Sequence, residues 1–87
     1  MISYDVYVRH HGATWEARAV DYPQLVGTGY NFDRAYMNLR EKVIHAIERT
    51  KEQGGRITRP RVPDKSLTKY EGASWVKMTL VGDKFSD

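Results

Sequence analysis

Residues 22–36 read YPQLVGTGYNFDRAY, with Gly27 and Gly29 two apart directly before a stretch whose hydrophobic period changes. Such a passage either cradles a phosphate or bends a strand into a helix. The dinucleotide fingerprint G-x-G-x-x-G needs a third glycine so that helix and strand pack closely, and here that position is Phe32. The passage also follows a hairpin instead of opening a parallel strand–helix–strand unit, and the Lys-Ser/Thr pair of a P-loop is missing. The bend is the better reading. Gly27 and Gly29 fall on the same side of a strand, where missing side chains let a helix or a neighbouring backbone come close.

Downstream the period becomes 3.6. Phe32, Ala35, Tyr36, Leu39, Val43, Ala46, Ile47 and Thr50 form one stripe, and Arg34, Asn38, Glu41, Lys42, Arg49 and Glu52 lie off it. Asn31 is a good N-cap, because its side-chain oxygen accepts an otherwise unpaired amide of the first turn. Asp33 adds negative charge at the positive end of the helix dipole. Gly54-Gly55 supplies the left-handed stop. The predicted helix runs about 22 residues, roughly 33 Å, enough to cross a small sheet.

Upstream the period is two. In residues 2–10, ISYDVYVRH, the side chains Ile2, Tyr4, Val6 and Val8 share one face, while Ser3, Asp5, Tyr7 and Arg9 share the other. Residues 11–13, HGA, form the turn. Residues 14–20 alternate again, with Trp15, Ala17 and Ala19 opposite Glu16 and Arg18. Pro23, which cannot donate to a ladder, is expected to close this second strand, leaving LVGTGY as a short third one.

After the helix, residues 55–73 contain Pro60, Pro63 and Gly72 and show no sustained period. A connection this long in a compact domain is usually functional or mobile. SWVKMTLVG then alternates, with Val76, Met78 and Leu80 against Trp75, Lys77 and Thr79. The order is β-β-β-α-β: an α+β fold in which one long helix packs on one face of a mostly antiparallel sheet. Residues 1–87 make a single domain with one layer of core.

Composition narrows the function classes. With 40% apolar and 29% charged residues the chain fits a globular domain better than a disordered one. The absence of cysteine removes disulfides, thiolate metal sites and thiol nucleophiles together. No apolar run reaches a membrane span and the N-terminus has a strand pattern, so a cytoplasmic location is expected. The net charge of +3 is unevenly placed: residues 49–69 carry seven basic side chains against Glu52 and Asp64, a local balance of +5, and the remainder sums to −2. A basic segment on a nearly neutral body points to a nucleic acid or an acidic protein surface, or simply to a solvated loop.

Catalytic chemistry is not legible. Two-metal hydrolysis needs converging acids, but Asp5, Glu41, Glu48 and Asp83 fall on elements and faces that do not readily meet. His10 and His11 point oppositely on a strand, and with His45 they lack the spacing of a structural zinc site. No serine has a readable His/Asp partnership. No metal or cofactor and no enzymatic activity are expected.

The hairpin followed by DYPQLVGTGYNFDRAYMNLREKVIHAI resembles the HicB-like antitoxin domain family. Pro23, Leu25, Gly27, Gly29, Asn31 and Ala35 fall on the family's landmarks: a proline-containing bend, a short strand ending in glycine, and a capped helix. ITRPRVP followed by a last strand matches the family's order, so the resemblance covers almost the whole chain. Gln24 and Val26 stand where the family has Asp and Pro, and the sequence pI of about 9.3 contrasts with usually acidic antitoxins. The resemblance implies a partial RNase H-like fold, usually homo-oligomeric, that binds and occludes a small RNA-cleaving toxin. Because the chain ends soon after the last strand, a C-terminal DNA-binding module is not expected.

Binding is then the expected role. Tyr7 beside Arg9 on the first strand and Trp75 beside Lys77 on the last place exposed aromatics next to cations. Arg56, Arg59, Arg61 and Lys65 add charge from the connecting segment. These eight residues are the candidate partner-binding set. A homodimer covering the second sheet face competes with exposure of that face, and Met37 and Ile44 can join such a contact. The reading is a non-enzymatic domain that sequesters a small toxin-like protein. The alternatives are nucleic-acid binding through residues 56–69 and the aromatic, basic sheet face, or an orphan scaffold.

Overall fold

A computed structural model describes residues 1–86. Strands β1 (Ile2–His11), β2 (Thr14–Ala19) and β3 (Tyr22–Gly29) lead into helix α1 (Phe32–Glu52), and β4 (Ser74–Leu80) follows. The sheet order is β3-β2-β1-β4 and every pairing is antiparallel. The expected α+β arrangement is what forms. β1 is central because both neighbours pair along it without interruption: Val6 faces Ala19 on one side and Val76 on the other. Gly12, at φ 64°, makes the tight turn between β1 and β2.

Pro23 does not end β2. It lies inside β3, which is the sheet's edge, where a residue without an N–H is tolerated. Tyr22 pairs with Ala19 and Gly27 with Ala17, so residues 23–26 fall in an irregular stretch that bends the edge.

The helix begins where the cap dictates. Asn31 Oδ1 accepts the Arg34 amide at 2.8 Å, and Gly54 at φ 76° takes the left-handed position after the last turn. Of the apolar stripe, Ala35, Leu39, Val43 and Ile47 are buried, whereas Phe32, Tyr36, Ala46 and Thr50 are only partly so. Burial of side chains such as Leu39, Val43 and Ile47 contributes roughly 1.5–3 kcal/mol each. α1 packs chiefly across β3 and β2.

The two glycines permit that packing. A Cβ on Gly27 would lie 2.7 Å from Leu39 Cβ, and one on Gly29 would lie 2.7 Å from the Ala35 amide nitrogen. The helix rests on bare backbone, as the spacing of the glycines predicts.

The segment after the helix contributes to the core as well as connecting. Ile57 and Phe85 join the buried cluster with Tyr4, Met78 and Leu80. Lys84 pairs with Glu48 at 3.0 Å and Lys51 donates to the Ser86 carbonyl at 2.6 Å, holding the short turn Asp83–Phe85 against α1. The Tyr4 hydroxyl donates to the Thr58 carbonyl at 2.7 Å and meets the Tyr22 hydroxyl at 3.1 Å. That hydroxyl pair satisfies polar atoms which would otherwise be buried at a cost.

Candidate binding surface

The sheet face turned away from α1 carries Ser3, Asp5, Tyr7 and Arg9 from β1, Glu16 and Arg18 from β2, and Trp75, Lys77 and Thr79 from β4. Registers set the neighbours: Tyr7 lies between Arg18 and Trp75, and Asp5 opposite Lys77.

Tyr7 and Trp75 are half-buried, not exposed, and Tyr70 packs on both. The segment leaving α1 crosses to this face and turns back through a short 3-10 turn, Thr68–Tyr70, which places the Tyr70 ring 4.9 Å from both Tyr7 and Trp75. Tyr7 and Trp75 are themselves 5.5 Å apart. The two edge-to-face contacts of Tyr70 are worth about 0.5–1.5 kcal/mol each beyond area burial. The three rings form a cluster that fastens the connection to the sheet.

Cations ring this cluster. Lys65 Nζ stands 4.9 Å from the Trp75 ring centre, Lys69 Nζ 5.2 Å from that of Tyr70, and the Arg9 guanidinium 5.4 Å from that of Tyr7. Arg9 Nη2 also donates to the Lys69 carbonyl at 2.8 Å, while its Nε is buried without a partner. The face thus brings Tyr7, Arg9, Lys65, Trp75 and Lys77 together. Tyr70 lies outside the expected set, although it is the only aromatic residue in 55–73.

The remaining arginines act differently. Asp21 is buried, and its Oδ1 accepts the Arg61 backbone amide at 3.1 Å and Arg61 Nε at 3.3 Å. Arg61 therefore anchors the chain just before it crosses the outer face. Arg56 and Arg59 stand exposed ahead of Pro60, on the approach to that anchor.

Several charges on the face are matched. Lys77 reaches both Asp5 oxygens, at 3.1 and 3.2 Å, and Asp5 is buried beneath it. Arg18 Nε donates to Glu16 at 2.8 Å. That hydrogen bond, aided by the positive charge of Arg18, holds the Glu16 carboxyl below its ordinary value. Ser66 hydrogen bonds likewise lower that of Asp64. Tyr70 packs edge-on against both the Tyr7 and Trp75 rings.

The acids considered for metal chemistry do not converge. Asp5 pairs with Lys77, Glu48 with Lys84, and Glu41 is exposed on α1. Among the described residues no three His, Asp or Glu side chains are grouped to hold a metal ion, and no helix is long and apolar enough to cross a membrane.

A four-stranded antiparallel sheet with a single helix bedded on two glycines of its edge strand, and an outer face closed by its own connection, defines an α+β domain. The fold is that of the HicB antitoxin N-terminal domain. The chain superimposes on the crystal structure of the N-terminal domain of Burkholderia pseudomallei antitoxin HicB with a TM-score of 0.79 and 23% identity, over 92% of this chain and 99% of that one. Against the crystal structure of the Burkholderia pseudomallei antitoxin HicB the TM-score is 0.83 at 20% identity, over 99% of this chain and 68% of that one. No family model matches the sequence, and no curated protein matches it.

Proposed function

We propose that this chain is a non-enzymatic, cytoplasmic antitoxin-type domain that sequesters a small RNA-cleaving toxin protein. The observation that carries the reading is the likeness in fold to an antitoxin across nearly the whole chain. The candidate contact set is Tyr7, Arg9, Lys65, Trp75 and Lys77 on the outer face, flanked by Arg56, Arg59 and Arg61. A standard interface buries about 800 Å² per partner. That is about a seventh of the 5687 Å² accessible on this chain.

The physical case is preorganisation. Interlocked rings and paired charges have already lost their rotamer freedom, so a partner meets them at little further entropic cost. Aromatic and arginine side chains at the centre of such a face are the usual anchors of binding energy.

The test is reconstitution. The tagged chain is used to capture its partner from nuclease-treated lysate of the source cells, and the captured protein is assayed alone for RNA cleavage. A small ribonuclease whose activity falls to background on adding back equimolar chain supports the reading. Capture that vanishes with nuclease treatment, or a captured protein that leaves RNA intact, overturns it.

A further inference from the structure

Where the segment leaving α1 passes the turn between β2 and β3, it closes one side of a cavity of about 380 Å³. Val20, Pro23, Pro63 and Tyr70 line it, with Val62 and the cations Arg61 and Lys69. That volume is at the small end of what ligand sites offer. The walls are fixed before anything binds. Pro60 and Pro63 set their own φ and favour extended backbone at the residues before them, Arg59 and Val62. The Arg61 amide is tied to Asp21, and the Lys69 carbonyl accepts from Arg9. Among the described residues no carboxylate lines the cavity. Asp21 holds Arg61 through Nε from a fully buried side chain, and the Arg61 side chain stays 73% exposed. Residues 56–69 carry five basic side chains against Asp64 alone. Val62, at 95%, is the most exposed large apolar side chain among the described residues.

We infer that this cavity is a docking site for an acidic peptide segment of a partner protein. An aliphatic side chain of that segment enters the cavity and covers Val62, and carboxylates flanking it meet Arg61 and Lys69. Charge complementarity selects the sign of the partner, because the lining is apolar except for two cations and the whole segment around it is basic. Stiff, tethered walls lose little freedom on binding, which favours affinity. The chemistry suits a peptide better than a nucleic acid. Val20, Pro23, Val62 and Pro63 are aliphatic, and Tyr70, the one ring in the lining, is 7% exposed and leaves little face for a base to stack on. The inference does not rest on the toxin reading, and its test involves no toxin.

Binding to the full chain is measured by fluorescence anisotropy with a short labelled peptide that carries one leucine between two pairs of glutamates. Two control peptides replace the leucine by glycine or the glutamates by lysines, and a labelled oligouridylate of equal charge represents nucleic acid. The leucine peptide is expected to bind about tenfold tighter than the glycine peptide, and the lysine peptide not at all. Lys69→Glu is expected to weaken the leucine peptide roughly fivefold to tenfold, an effect that shrinks as salt rises. Val62→Ser is expected to weaken it roughly threefold with little dependence on salt. Circular dichroism confirms that each variant is folded, and Val62 is exposed enough to change without disturbing the core. Equal binding of the leucine and glycine peptides overturns the proposal, because charge alone then holds the ligand. A preference for the oligouridylate overturns it too, as does a folded wild type that binds no leucine peptide at millimolar concentration. Leucine-peptide binding that neither substitution changes places the site elsewhere and has the same force.

Discussion

Gly27 lies so close beneath Leu39 that a single added carbon would collide with the helix backbone. A Cβ there would approach the Ala35 carbonyl oxygen and the Leu39 amide nitrogen closer than 3.0 Å, and neither can rotate away. Gly27→Ala is therefore expected to lose about 3 kcal/mol of stability, as overpacked cores do. Gly12→Ala meets open space and bears only the left-handed φ of 64°, so about 1–2 kcal/mol is expected. Urea unfolding of the two variants checks the order. Equal losses would mean that helix contact is not what selects glycine at residue 27.

That contact also shows which parts of the fold are legible from sequence. The alternation in β1, β2 and β4 and the 3.6 period of α1 are local signals of burial on one face, and all four elements form where they predict. Gly27 and Gly29 could be read because an absent side chain within a strand, just before a helix, has few uses. The place of Pro23 is not legible locally, because its meaning depends on whether the strand carrying it is central or at an edge, and that is decided by distant pairing. The burial of Tyr70 is hidden for the same reason. Its partners Tyr7 and Trp75 lie on β1 and β4, and residues 55–73 carry no local period to mark a buried residue among exposed ones.

The aromatic cluster yields the second prediction. Tyr70 is 7% exposed and packs against both Tyr7 and Trp75. Tyr70→Ala removes the contact that fastens the connection to the sheet and is expected to lose about 2–4 kcal/mol. Tyr70→Phe keeps the ring contacts and is expected to lose under about 1 kcal/mol. Limited trypsin digestion should cut Tyr70→Ala first within residues 56–69, leaving the strands intact. Cleavage at the wild-type rate would show that the segment is held by other contacts.

Arg61 and Arg56 should separate anchoring from surface charge. The Asp21 side chain is fully buried, whereas that of Arg61 is 73% exposed. Removing the guanidinium leaves the buried carboxylate with the backbone amide alone, and solvent screening at Arg61 tempers the loss. Arg61→Ala is expected to destabilise by about 1 kcal/mol, and Arg56→Ala by no more than about 0.5 kcal/mol. Thermal unfolding of both variants at one pH gives the comparison. A larger loss for Arg56 would locate the anchor of the connection elsewhere.

Glu16 and Arg18 give the pH dependence. The Arg18 hydrogen bond lowers the folded-state pKa of Glu16 below 4.5, so folding favours its ionised form. The unfolded state binds the proton more readily, and the linked stability is fully present above the unfolded value and lost as pH falls through the folded one. The pair is partly solvated, with side-chain exposures of 35% for Arg18 and 21% for Glu16, so the contribution is less than about 1 kcal/mol. Glu16→Gln should therefore be less stable than wild type at pH 7, and the difference should close on acidification below pH 4.5. Urea midpoints for both proteins, measured along that descent, test the sign directly. A gap that widens in acid would mean that folding raises the pKa of Glu16, contrary to the geometry of its hydrogen bond with Arg18.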